Sequence, residues 1–131
     1  MIGREACLRL LAAARNAQHH AYAPYSHFTV GAAVLGVNDD IYTGCNVENA
    51  SYGLTLCAER NALTHAVVMG CLQFQALAVA GDGADYTVPC GACRQVMAEF
   101  RIPYIIMVKH DDTYKIVTLE ELFPDAFVLE H

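Results

Sequence analysis

Three of the six cysteines stand where a thiol changes its chemistry. Cys57 lies in Cys57-Ala58-Glu59, just ahead of a segment with helical periodicity, and Cys90 and Cys93 lie in Pro89-Cys90-Gly91-Ala92-Cys93 at the head of another. A Cys-x-x-Cys pair at a helix start puts both sulfurs one turn apart on the same side. The partial positive charge of a helix N-terminus lowers thiol pKa, and thiolates are what a zinc ion needs. Two such helix ends packed side by side offer three thiolates to one metal. A structural zinc site is normally closed by four protein ligands, whereas a catalytic one keeps a position for water. Cys45 is the best candidate for a fourth ligand, yet it lies in an expected strand beside Asn46, without a partner at short spacing. Cys7 and Cys71 read as small apolar core or surface thiols.

Glu59 is two residues from a proposed ligand, in the first turn of a helix. Alone, it would be an acid that stabilises the helix dipole. Beside an open zinc site it becomes the natural acid/base group. A Cys-x-x-Cys pair by itself is shared with redox motifs and zinc ribbons. Cys-x-Glu followed by Pro-Cys-x-x-Cys is the recognised signature of zinc deaminases, including their three-cysteine form. Arg60 and Arg94 each follow this machinery closely. Three thiolates on a divalent ion leave a net negative centre, which positive charge near the sulfurs would offset.

These groups need elements to hold them. Residues 4–21 read as a helix with Cys7, Leu10, Leu11, Ala14, Ala17 and Ala21 on one face, ended by Pro24. Phe28, Val30 and Ala32 alternate with Thr29, Gly31 and Ala33 as a strand, and Asn38-Asp39-Asp40 turns it into a second strand at 41–47. A helix is expected at 58–69, a strand at 76–80, a helix from Pro89 to about Phe100, strands at 104–108 and 114–117, and a short helix at 120–123 stopped by Pro124. The order implies an α/β fold: a three-layer α/β/α sandwich with a mixed sheet of roughly five strands and helices on both faces.

The 131 residues fit a single domain, 1–131, large enough for a core of its own. With 55% hydrophobic and 17% charged residues the chain is not disordered, and some apolar surface is available for burial between subunits. The net charge is −6 and there is no Lys/Arg run, which disfavours binding to nucleic acid. Arg4, Glu5, Arg9 and Arg15 interrupt any N-terminal apolar segment, and no run is long enough to cross a bilayer. The expectation is a cytoplasmic protein without membrane partners, whose reduced cysteines serve a metal or catalysis rather than disulfides.

Four segments go beyond the zinc signature: 25–33 (YSHFTVGAA), 44–52 (GCNVENASY), 57–60 (CAER) and 89–95 (PCGACRQ). Across almost the whole chain, from the first helix to Phe127, the sequence resembles the small homotetrameric zinc-dependent cytidine deaminases of pyrimidine salvage. The resemblance implies one zinc per chain on Cys57, Cys90 and Cys93, with Glu59 as proton shuttle. It further implies hydrolysis of cytidine and deoxycytidine to uridine and deoxyuridine with release of ammonia. Asn46 and Glu48, two apart and so on one side of a strand, look like the ribose-binding pair, with Val47 between them. Phe28 resembles the aromatic residue packed on the pyrimidine, although from the sequence alone a phenylalanine is more often core. Main-chain groups at Ala58 and Cys90 resemble those that hold the base, and Gln95 resembles a residue surrounding the ligands. Ala50 and Tyr52 would contact nucleoside bound in a neighbouring subunit. Phe127 would either close a neighbour's pocket or anchor the C-terminus on its own core, two readings of equal weight. The alternative is a deaminase of a related nucleoside, such as one like blasticidin S, on the same zinc machinery; such a relative should depart within Asn46–Tyr52.

Overall fold

Small residues decide how closely the helices approach the sheet. The computed structural model describes residues 1–131. In chain order the elements are α1 (Arg4–Gln18), β1 (Val30–Gly36), β2 (Ile41–Cys45), a 3-10 turn (Tyr52–Leu54), α2 (Ala58–Val68), β3 (Phe74–Gly81), α3 (Gly91–Glu99), β4 (Tyr104–Val108), β5 (Tyr114–Thr118) and α4 (Leu119–Leu122). The strands lie in the order β2-β1-β3-β4-β5. β1 is antiparallel to both of its neighbours, β3 and β4 are parallel, and β5 returns antiparallel. This is the expected mixed five-stranded sheet.

Alternation along the strands sorts two cores onto opposite faces. Leu10 and Ala14 of α1 pack with Ala33, Leu35, Ala78 and Ile106. Leu63 of α2 and Met97 of α3 pack on the other face with Ala32, Val34, Leu77 and Ile105. β1 therefore reads as a nearly continuous buried run, as strands covered on both sides do. At two neighbouring positions the helix backbone comes so close that only glycine fits. A Cβ at Gly31 would lie 1.9 Å from the Ala14 carbonyl oxygen of α1, and one at Gly44 would lie 2.3 Å from the Ala62 nitrogen of α2. Gly31 pairs with Cys45 and Gly44 with Ala32, so the two contacts fall on opposite faces near the same end of the sheet.

That end is where the chemistry collects. β2, β3 and β4 all run in one direction, so their C-terminal ends coincide. α2 follows β2 and α3 follows β3 through connecting segments, and the first turn of α2 lies on the end of β2 at Gly44. Two helix N-termini are thereby brought to a single edge, the usual ligand-binding side of an open α/β sheet.

The observed boundaries correct the expected ones at this edge. α1 stops at Gln18, well before Pro24, because Tyr22 is already extended and paired: its N–H donates to the Asn46 carbonyl and its carbonyl accepts from the Glu48 N–H. Ala21 is thus outside the helix. β1 starts at Val30 and leaves out Phe28, whose N–H and carbonyl bond to side chains instead of a strand. β2 ends at Cys45, after which Val47 forms single bridges to Tyr22 and Leu56.

The contact at Gly44 yields a direct test. Gly44→Ala should cost on the order of 1–3 kcal/mol by overpacking and should displace the first turn of α2. Gly3→Ser, where a Cβ meets nothing within 4 Å, should leave stability within about 0.5 kcal/mol. Thermal unfolding of both variants checks this, and equal Tm values would refute the close-packing account.

Candidate active site

Cys57 and Cys90 occupy the N-cap positions of α2 and α3, and Cys93 lies in the first turn of α3. The Cys57 side chain makes no capping bond, so its sulfur is free to turn toward the other two. The Cys90 sulfur accepts from the Cys93 N–H at 3.5 Å. All three sulfurs lie within 4.8 Å of one another, and the Cys57–Cys90 separation is 3.8 Å. A tetrahedral zinc with Zn–S of about 2.3 Å needs sulfurs spaced about 3.8 Å apart. The donor set therefore fits that ion, and no fourth His, Cys, Asp or Glu joins the cluster. Cys45 is outside it at the end of β2, while Cys7 and Cys71 are buried in the two cores.

Charge in the cluster is arranged around Cys57. Hydrogen bonds from the Cys93 thiol and from Arg60 pull its pKa down to about 5. Cys93, which donates to that thiolate and is buried, is pushed well above its ordinary value. Arg60 Nη2 lies 3.3 Å from the Cys57 sulfur, and its Nε is buried without a partner. A guanidinium with an unused buried donor suits a cluster carrying more negative charge than one thiolate, as three sulfurs on a metal would. Glu59, next to Arg60, is only 5% exposed. Burial raises its pKa to about 7, with the Cys57 thiolate adding to the shift.

Arg94 acts on the backbone next to a ligand. Its Nε donates to the Pro89 carbonyl (2.9 Å) and its Nη1 to the Leu122 carbonyl (2.6 Å), so it fastens the turn before Cys90 to α4 and does not contact a sulfur. Gln95 donates to the Phe127 carbonyl at 2.8 Å. It holds the C-terminal segment against α3. Phe127 itself is 67% exposed.

Asn46 and Glu48 lie beyond β2, yet both reach the same loop because the intervening Val47 is extended and paired. Asn46 Oδ1 accepts from the Val30 N–H and its Nδ2 donates to the Phe28 carbonyl, both at 2.9 Å. Glu48 accepts from the N–H groups of Tyr25 and Ser26 and from the Ser26 hydroxyl. Those bonds, the Ser26 hydroxyl foremost, keep its carboxyl below the ordinary range. Phe28 is 41% exposed, so it is not a core residue. Ala58 opens α2, where the first N–H groups have no helical partner. Ala50 and Tyr52 are exposed, and Tyr52 packs edge-on against Tyr25 with centroids 6.3 Å apart.

Glu48, Tyr25, Ser26, Asn49, Tyr52 and Thr55 line a cleft that the cysteines and Glu59 do not reach. Glu48 and Tyr52 are the expected site residues among these, and Tyr25, Ser26, Asn49 and Thr55 join them. Ser26 and Glu48 are 22 residues apart, and no periodicity links them; only the quoted Tyr25-Ser26 segment carried a signal.

The cytidine and deoxycytidylate deaminase zinc-binding region matches residues 5–109. The chain belongs to this family. A probable cytidine deaminase of Dictyostelium discoideum is 46% identical over 98% of this chain and 88% of its own length. A cytidine deaminase of Sporosarcina psychrophila is 46% identical over 93% of this chain and 91% of its own. The crystal structure of cytidine deaminase from Burkholderia pseudomallei matches with a TM-score of 0.88 at 42% identity, covering 96% of this chain and all of that one. Membership in a zinc-binding family agrees with the sulfur geometry, and zinc is the cofactor of this site.

Metal loading should give about one zinc per chain, retained in Cys45→Ala and lost in Cys93→Ala. Because the thiols must be deprotonated to bind, loading should release protons and affinity should fall as pH falls. Elemental analysis with a competitive chelator titration at two pH values measures both. Loss of zinc in Cys45→Ala would mean a closed four-ligand site.

Proposed function

We propose that the chain is a zinc-dependent cytidine deaminase, converting cytidine and deoxycytidine with water to uridine and deoxyuridine plus ammonia. The observation that carries this reading is the buried Glu59 carboxyl beside three sulfurs spaced for one zinc. The relatives named above, at 46% identity over most of the chain, support the same substrate. The ion, when bound by Cys57, Cys90 and Cys93, supplies Lewis acidity that lowers the pKa of water at its open position.

The remaining work falls to the chain. Glu59, with a pKa near 7, is poised to take a proton from water and to give it up again. It delivers that proton to N3 of the ring, which makes C4 electrophilic. Once the water oxygen has added at C4, Glu59 takes the proton of the new C4 hydroxyl and passes it to the amine, so that the C4–N bond breaks, ammonia leaves and the C4 carbonyl of uridine forms. Arg60 offsets the negative charge of the sulfurs. Phe28 packs on the base, main-chain groups at Ala58 and Cys90 hold it, and Asn46 and Glu48, with Val47 between them, bind the sugar. The Glu48 carboxylate beside the sugar disfavours a 5′-phosphate. Arg94 and Gln95 support the site indirectly, by holding the turn before Cys90 and the C-terminal segment.

The working form in this reading is a cytoplasmic homotetramer of single-domain chains with shared sites. Exposed apolar residues support it, among them Tyr52, Leu54, Leu56 and Phe127 near the cleft and C-terminus. Ala50 and Tyr52 contact nucleoside bound in a neighbour, and Phe127 closes a neighbour's pocket.

Two measurements test the proposal. Glu59→Gln should keep fold and zinc while lowering turnover by about 10²–10⁴-fold, read as uridine formation. Retention of a tenth of the activity would move the proton to another group. Glu59→Ala and Phe127→Ala chains, mixed and co-refolded, should give more activity than the sum of the separate preparations. No gain in oligomers shown to be mixed would place Phe127 in its own subunit's site.

A further inference from the structure

The backbone ladder between β1 and β3 ends at the pair Val30 and Gly81. Phe28 lies just past that end, where strand ends ordinarily fray. Its ring nevertheless has a defined seat. A Cβ placed on Gly81 would lie 2.8 Å from Cζ of Phe28 and 2.9 Å from the Thr87 hydroxyl. The ring thus rests against the bare backbone of Gly81. His27, immediately before it, has φ of 57°, a left-handed conformation uncommon for a residue with a side chain.

A side-chain network continues the ladder where the backbone bonds stop. Thr29 and Asp82 are the next residues beyond the final pair, and the Thr29 hydroxyl donates to Asp82 Oδ2 at 2.7 Å. Gln18, at the end of α1 and 5% exposed, places its Nε2 among three acceptors: the Thr29 carbonyl and hydroxyl, both at 3.1 Å, and Asp82 Oδ1 at 2.5 Å. Arg15, one turn earlier, donates through Nη1 to Gln18 Oε1 and to the Gly81 carbonyl, each at 2.8 Å. Its remaining donors reach Asp112 and the Lys109 carbonyl. The network therefore grips the residue after Phe28 and the glycine beneath its ring at the same time. Neither the zinc cluster nor Glu59 takes part in it.

We propose that Gln18, Thr29 and Asp82, anchored by Arg15, are positioning residues that set the Phe28 ring against the pyrimidine and so tune substrate binding. This rests on the reading of Phe28 as the base-stacking residue. The buried amide has a structural role in any case, joining α1 to the sheet, so stability alone cannot test the proposal. A misplaced stacking surface weakens ground state and transition state alike, which raises KM and spares kcat.

The test is steady-state kinetics on the zinc-loaded enzyme with cytidine, with zinc content measured for each variant. Thr29→Val keeps the shape and deletes the hydroxyl. It should raise KM about three- to tenfold, the range for one lost hydrogen bond, with kcat changed by less than about twofold. Thr29→Ser should restore the wild-type KM. Phe28→Ala should raise KM further, and adding Thr29→Val to it should have no additional effect, because the group being positioned is gone. Asp82→Ala, at an exposed residue, should reproduce the Thr29→Val effect and substitutes for it if that variant does not fold. A raised KM in Phe28→Ala with an unchanged KM in Thr29→Val and Asp82→Ala would overturn the positioning role and leave the base-stacking reading intact. Additive effects in the double variant would also overturn it. An unchanged KM in Phe28→Ala would instead overturn the stacking reading, and the proposal with it.

Discussion

The backbone of α2 rests directly on the backbone of β2 at Gly44, and the position of the metal ligands follows from that contact. No side chain separates the two elements there, so the first turn of α2 has little freedom to slide or tilt. The Asn61 side chain adds a 2.8 Å bond to the Cys45 carbonyl on the same strand. Cys57, at the head of this turn, is thereby held at a set height above the sheet edge. α3 starts at the same edge because β3 is two strands away and runs the same way. A three-sulfur cluster needs only these two helix starts to be registered against one sheet. The helix at Cys57 forgoes a side-chain cap, ordinarily worth about 1 kcal/mol, and its sulfur is left for the metal.

Burial and charge then act in opposite directions on neighbouring groups. Cys57 is stabilised as a thiolate by donors that converge on it, whereas Glu59 is pushed toward the neutral acid by loss of solvent. Arg60 stands between these tendencies, touching the sulfur and lowering the charge a buried carboxylate must face. A proton-transfer group with a pKa near 7 at the first turn of a helix is an unusual outcome, since the helix dipole by itself favours the ionised form. Desolvation is the larger influence here, and it exists only because α2 lies against the sheet.

The residues expected to hold the nucleoside already serve the fold. Asn46 ties down Phe28 and Val30, and Glu48 ties down Tyr25 and Ser26, so the loop they would share with a ligand is set before binding. Such preorganisation lowers the ordering cost of association. The same loop is gripped from α1 by Gln18, which places three separate parts of the chain around one exposed aromatic ring.

The order of elements, the helix starts at Cys57 and Cys90, the three-ligand count and the first-turn acid were all legible in the residues, because each is local. Periodicity, a short spacing between like ligands and a helix signal lie within a few neighbouring positions. The family resemblance was likewise carried by contiguous segments. What sequence could not determine was long-range. Arg60 and Arg94 stand in similar places relative to a ligand, yet one reaches a sulfur and the other two carbonyls, since α4 packs beside only the second. Gly44 and Gly81 look like ordinary strand glycines until a helix or a ring is laid on them. The end of α1, the start of β1 and the raised pKa of Glu59 were also settled by tertiary contacts. Burial and pairing between residues tens of positions apart depend on where the chain returns in space, and no spacing along a single sequence encodes that directly.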